Sequence, residues 1–312
     1  MEWLGFTADD FALYRPERRT SAMYTLKRRA VKDKLRALEA QLRPTLGSVL
    51  DGLSADYSDE SPSLVNHHCV DRQWLYWQRD AAAQQRLKGL QGEIKLTAPD
   101  ALDVAAHHKH VHLALVIDER GVEIGIRLHR RATVDRENLA ARIKEGWARD
   151  TLVKLVARFG DGAYFGACTG RDLPTTAATE ASADALSSLI EGAAEREWLA
   201  VSVLCPAADA VARGTALLEL CREKLTALAD IYRFCAWTSD NDHIAARKAI
   251  KEAKAEQQKS GFKKGDHVRI LAGLWSGRSG TIEEIDRKGG LKVLVGLVAV
   301  KVDVSEVSPV EN

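Results

Sequence analysis

Seven of the nine histidines fall between His67 and His129, and imidazoles at that density are the first place to look for chemistry. An imidazole nitrogen suits zinc, copper, iron or nickel, so three that converge can hold a transition metal. Whether they converge depends on the backbone that carries them. The stretches HVHLALVI, from His110, and VEIGIRLH, from Val122, both alternate apolar with polar residues, and Asp118 to Gly121 between them is turn material. This pattern predicts a β-hairpin. With Ile117 opposite Val122, the residues Val111, Leu113, Leu115 and Ile117 share a core face with Val122, Ile124, Ile126 and Leu128. On the other face His110 comes opposite His129, with His112 one step along.

His110, His112 and His129 are therefore the candidate metal ligands, with His67, His68, Asp71 and His107 as further candidates. The same register sets Arg127 opposite His112, and a guanidinium beside a dication is unfavourable unless carboxylates compensate. No H-E-x-x-H and no H-x-E with P-C-x-x-C is present, the spacings that common zinc enzymes use. A solvent-facing, histidine-rich strand is the expectation, and a metal-dependent hydrolase or nuclease is the alternative. Other templates are missing too: there is no G-x-S-x-G elbow, no phosphate-binding P-loop and no G-x-G-x-x-G after a strand. Cys69 follows His68, but catalytic Cys/His pairs are assembled across a fold rather than along the chain. No catalytic residue is assigned and no cofactor is implied; the sequence favours a non-enzymatic protein.

Composition sets the frame for the elements that would position these residues. The chain has 312 residues, of which 46% are hydrophobic and 29% charged, the balance of a soluble globular protein. A formal net charge of +1 does not mark the whole molecule as a nucleic-acid binder, so any basic surface must be local. The opening MEWLGFTADDF has no basic-then-apolar leader pattern. The longest apolar stretch, Leu291 to Val304, is interrupted by lysines and too short to span a bilayer. Five cysteines without a C-x-x-C pair argue against a disulfide framework. A cytoplasmic protein with no membrane partner is expected.

Asp9 and Asp10 can open a short helix, and a longer one is expected from about Ser21 to Leu50, broken or kinked at Pro44. Leu26, Val31, Leu35, Leu38 and Leu42 recur at helical spacing as its buried face. Opposite them Lys27, Arg28, Arg29, Lys32, Lys34 and Arg36 read as a solvated basic face. Gly52 to Pro62 reads as a loop. Thr133 to Asp135 can cap a helix running to Phe159, with Gly146 a weak point in it. A strand within FGDGAYFGACTG, a helix near SADALSSLIEGAAERE, a strand at LAVSVLC and a long helix from Ala208 to about Phe234 complete an α+β pattern. HIAARKAIKEAKAEQQK then reads as an exposed, charged helix separating two folded units.

After Gly261 the texture changes to short β-prone runs punctuated by glycines, as in a small barrel of tightly turned strands. Gly265-Asp266-x-Val268-x-Ile270, then Gly273-Leu274-Trp275-x-Gly277-x-x-Gly280-Thr281-Ile282, resembles the KOW motif of the transcription factor NusG, its relatives and several ribosomal proteins. The phrase VSEVSP resembles the way such domains close. The resemblance implies a five-stranded SH3-like barrel that binds RNA, a ribonucleoprotein or a protein partner. The residues themselves offer a local basic patch: Lys263, Lys264, His267, Arg269 and Arg278 around the first strand and loop, and Arg287, Lys288 and Lys292 at the next turn. Such cations with a loop-borne Trp275 can combine phosphate attraction with base stacking; alternatively Trp275 folds back over the small core. The opening GFTADDFALY and the segment NHHCVDRQWLYWQRD distantly resemble the uncharacterised bacterial YktB-type family, which supplies no activity.

The organisation expected is thus an α+β domain over 1–240, a charged helical linker over 241–261 and a small all-β SH3-like (KOW) barrel over 262–312. The function expected is binding of RNA or a ribonucleoprotein, the ribosome or RNA polymerase, in transcription or translation. The alternatives are the histidine-based metal enzyme and a protein-docking module that binds no nucleic acid.

Overall fold

Apolar alternation in the middle of the chain organises the first unit. In the computed structural model, which describes residues 2–88, 106–170, 172–192, 197–245, 262–286 and 290–310, strands β3 (His112–Ile117) and β4 (Gly121–His129) pair antiparallel. Ile117 lies opposite Val122 and His112 opposite Arg127, the register the alternation requires. Around this hairpin an all-antiparallel sheet is built from β1 (Leu53–Tyr57), β2 (Gln73–Arg79), β5 (Ala163–Cys168), β6 (Thr176–Ala177) and β7 (Trp198–Pro206). Its order is β1-β2-β3-β4-β7-β5-β6. β7 crosses back to lie between β4 and β5. The chain as a whole divides into two compact units, Met1–Asp242 and His243–Asn312, and its class is α+β.

Helices cover one face of the sheet. α1 (Ala8–Ala12) starts at Thr7, whose amide and hydroxyl donate to the Asp10 carboxylate, the reciprocal cap that Asp9 and Asp10 suggested. α2 (Thr25–Leu46) carries Pro44 in its last turn and ends at Gly47, without a break before it. Val31, Leu35, Leu38 and Leu42 are fully buried. Two expectations for this helix fail: Leu26 is 74% exposed and Arg28 is fully buried. Leu26 lies in the first turn, before the stripe reaches the core, and Arg28 turns back to donate to the carbonyls of Ser21 and Arg18. The other cations on its surface are largely paired, Lys34 with Asp10, Arg29 and Lys32 with Glu60, Arg36 with Asp33, as in a solvated face.

Three elements differ from the sequence reading for local backbone reasons. β1 lies inside the segment read as a loop, a polar strand at the sheet edge. The helix after Thr133 is two, α4 (Thr133–Arg142) and α5 (Gly146–Arg158), α3 being Ala81–Lys88. The long helix expected after Ala208 is also two, α7 (Ala207–Arg213) and α8 (Leu217–Cys235), with α6 (Ala183–Glu191) before them. Gly214 breaks it with φ of +53°, a conformation costly for any side-chain-bearing residue. A Cβ on Gly5 would come within 2.8 Å of the Gly214 backbone, so the N-terminal segment is seated against this break.

The core between helices and sheet includes Trp77, Leu113, Leu115, Ile117, Ile124 and Leu225, all 0% exposed. The hairpin face predicted to be apolar belongs to it. Among the described residues no helix is long and apolar enough to cross a membrane, and none of the five cysteines forms a disulfide.

The second unit is all-β. β8 (His267–Ile270), β9 (Ser279–Ile285), β10 (Gly290–Val295), β11 (Val298–Asp303) and β12 (Val307–Pro309) form a five-stranded antiparallel sheet in the order β11-β10-β9-β8-β12. The last strand returns beside the first, as in a small barrel-like domain. Val268, Ile270, Ile282, Leu291 and Val293 make its core. The linker helix expected before it falls, from residue 246 to 261, outside the described residues.

Candidate functional sites

The polar face of the β3–β4 hairpin, expected to meet solvent, is buried. Exposure is 8% or less at His107, His110, His112 and His129. Glu123 and Arg127 lie on that face, 2% and 1% exposed, with Arg127 Nη2 donating to both carboxylate oxygens at 2.7 Å. Alternation predicts apolar-in, polar-out; here the polar residues stay inside, Arg127 and Glu123 paired with each other while Arg127 Nε and His112 Nε2 are buried with no hydrogen-bond partner among the described residues. Burial opposes the charge of Arg127, but Glu123 and Tyr76 together outweigh it and hold the guanidinium's pKa above its usual value.

The imidazoles form an aromatic cluster. Trp74 stacks on Tyr76 with centroids 4.1 Å apart, and His107 meets both edge-on. Tyr76 lies 4.3 Å from His112, and His108 stacks on His129 at 4.1 Å with Trp198 against both. The His112 Nδ1 is 3.2 Å from the His110 carbonyl, which can only accept, so Nδ1 carries the proton and Nε2 a lone pair. His129 is the reverse: its Nδ1 accepts from the Arg131 amide. Burial pushes the pKa of His107 and His129 down to about 2 and of His112 down to about 3. These rings are neutral at neutral pH.

Among the described residues they are not grouped as metal ligands. β3 begins at His112, so strand alternation does not govern His110, which instead lies with its Nδ1 3.5 Å from Arg79 Nη1. Arg79 is bound to Asp135 on α4, and Asp135 also accepts the amides of Val111 and Trp237 at 2.8 Å. Burial, then Arg79, lowers the pKa of His110 to about 4. The proposed ligands His110, His112 and His129 are thus divided. His67, His68 and Asp71 precede β2 in the chain, and among the described residues the rings of His67 and His68 make no contact with the cluster. Among the described residues no group of three or more His, Cys, Asp or Glu side chains is arranged to hold a metal ion, and the guanidinium opposite His112 would repel one.

In the second unit, Lys263, Lys264, His267, Arg269 and Arg278 are all exposed. Arg269 stands opposite Ser279 on one side and Ser308 on the other, so it projects from the sheet between two small neighbours. Lys263, Lys264, Arg269 and Arg278 have no ion-pair partner among the described residues. By contrast, Asp266 and Asp303 are occupied in accepting turn amides. Lys292 pairs with Glu283 at 2.9 Å, which removes it from the available set. Arg287 and Lys288 lie outside the described residues.

Trp275 is half-buried and packs on the small core, so the indole does not stand free for stacking. The residue the loop presents is its neighbour, Leu274, which is fully exposed. Thr281 pairs with Leu294, and this places the β8–β9 loop and the β10–β11 turn at the same end of the sheet. Gly296, with φ of +64°, makes that turn and leaves Leu297 99% exposed. Leu271 and Val298 are also exposed there. Sequence reasoning missed these aliphatics because it sought cations and aromatics; two leucines next to turn glycines were the available signal. No protein-family model matches the chain, and a search of curated proteins returns no match.

Proposed function

We propose that this is a non-enzymatic binding protein whose C-terminal unit, a KOW-like barrel, docks on ribonucleoprotein machinery of transcription or translation. The observation that carries the reading is one end of the five-stranded sheet, where exposed Leu274 and Leu297 stand near Arg278 and Arg269, cations without carboxylate partners among the described residues. Unpaired arginines suit phosphate, as bidentate donors whose affinity falls with salt. Exposed leucines at a loop tip suit a protein surface, since they offer nothing to an RNA backbone. A ribonucleoprotein supplies both.

The test is co-sedimentation of the full chain with purified ribosomes and with RNA polymerase, beside anisotropy on labelled single-stranded RNA. R269E/R278E should lose at least tenfold in binding, with an unchanged thermal transition. Equal binding by that variant defeats the reading. Loss of particle binding in L274E/L297E with RNA affinity retained supports a protein contact. If no RNA binding is found while a protein component binds through the same leucines, the alternative of a purely protein-docking module replaces it.

A further inference from the structure

The N-terminal unit carries a second exposed aliphatic surface, built from two segments held together. Met23 and Leu26, at the start of α2, are 79% and 74% exposed; Leu64 and Val65, at the tip of the loop before β2, are 82% and 73% exposed. The Ser61 hydroxyl lies 3.4 Å from the Thr25 hydroxyl, Glu60 pairs with Arg29 and Lys32, and the Val70 amide donates to the Arg19 carbonyl. These links seat the loop against residues 19–32.

The loop holds its shape. Asn66 accepts the Ser63 amide and donates to the Ser61 carbonyl, and the His68 amide donates to the Ser63 carbonyl at 2.7 Å. His67 and His68 both have positive φ, +53° and +56°, a conformation that costs non-glycine residues free energy. Hydrogen bonds at the loop base maintain that conformation while its two largest apolar side chains face water. The unpaired charge nearby is mainly positive: Lys27 and Arg19 have no ion-pair partner among the described residues and Arg18 lies 5.3 Å over the Tyr24 ring, while Arg29 is paired with Glu60 and Asp59 is the exposed carboxylate on the loop.

We infer that this surface docks an acidic, aliphatic-bearing segment of a protein partner. Leu, Val and Met provide the desolvated centre of an interface and the cations its rim. Nucleic acid is the poorer occupant because the exposed side chains at the centre include no aromatic ring for a base to stack on. A lipid surface would use the same cations, and separating it is a matter for experiment.

The probe is a phage-displayed peptide library selected on the full-length protein, with single-stranded RNA and vesicles of phosphatidylcholine and phosphatidylserine as parallel arms. Selected peptides should be rich in Asp, Glu and Leu-like residues, and a synthetic copy should bind at least tenfold more weakly to L64E/V65E and to M23E/L26E. These are surface changes, and circular dichroism checks that each variant folds. R269E/R278E should bind the peptide normally, which separates this site from the one on the C-terminal unit. Selection of basic or charge-neutral peptides, or equal binding by both variants, overturns the inference. So does RNA or vesicle binding lost in L64E/V65E in place of peptide binding.

Discussion

Acidification is the perturbation to which the buried imidazoles commit this protein most firmly. His107, His110, His112 and His129 have folded-state pKa values of about 2, 4, 3 and 2, against about 6.5 in an unfolded chain. Between those values the unfolded chain binds protons that the native one refuses, so stability is full above about pH 6.5 and falls as the pH is lowered towards the folded values. From about pH 7 to about pH 5 each ring costs about 2 kcal/mol, and the four together about 8 kcal/mol. That is comparable with the whole stability of an ordinary domain, about 5–15 kcal/mol. The assay is urea unfolding followed by tryptophan fluorescence at several pH values in this range. Below about pH 6 the slope should approach four protons, and His107→Phe, which retains the edge-on contacts with Trp74 and Tyr76, should lower it by one. Stability that is flat to within about 1 kcal/mol across the range, or a slope unaltered by His107→Phe, would refute the reasoning.

Asp135→Ala strips four hydrogen bonds from Arg79, Val111 and Trp237 and leaves a buried guanidinium uncompensated; a loss of about 3–5 kcal/mol is expected in denaturant unfolding. Arg127→Met alone should cost a similar amount, whereas Arg127→Met with Glu123→Leu should recover most of it, a double-mutant cycle checked by thermal melting. Gly5→Ala drives a methyl group into the Gly214 backbone and should cost about 1–3 kcal/mol in the same melts.

What could be read from the sequence was set by local rules. The β3–β4 register was legible because two alternating runs flank a turn, and pairing at period 2 leaves one apolar solution. The small all-β unit was legible from its glycines. The burial of Glu123, Arg127 and the histidines was not, because alternation reports which residues share a face and not whether that face is covered. Arg79 with Asp135 and Arg28 with two carbonyls show the same limit: each is satisfied by a partner distant in sequence or in a turn. The helix break at Gly214 escaped because an isolated glycine is tolerated in many helices, and its positive φ of +53° is not visible in the sequence.

The strand order also bears on how the chain emerges from the ribosome. β1 to β4 are complete by residue 129, whereas β7, which closes the far side of β4, begins at Trp198. Until β7 is made, β4 is an open edge with a row of unpaired amides and carbonyls, the template on which nascent chains aggregate. Glu123 and Arg127 stand on that edge. The ion pair that ends up sealed inside the sheet would, during synthesis, be a solvated pair of charges guarding an otherwise apolar strand against foreign partners.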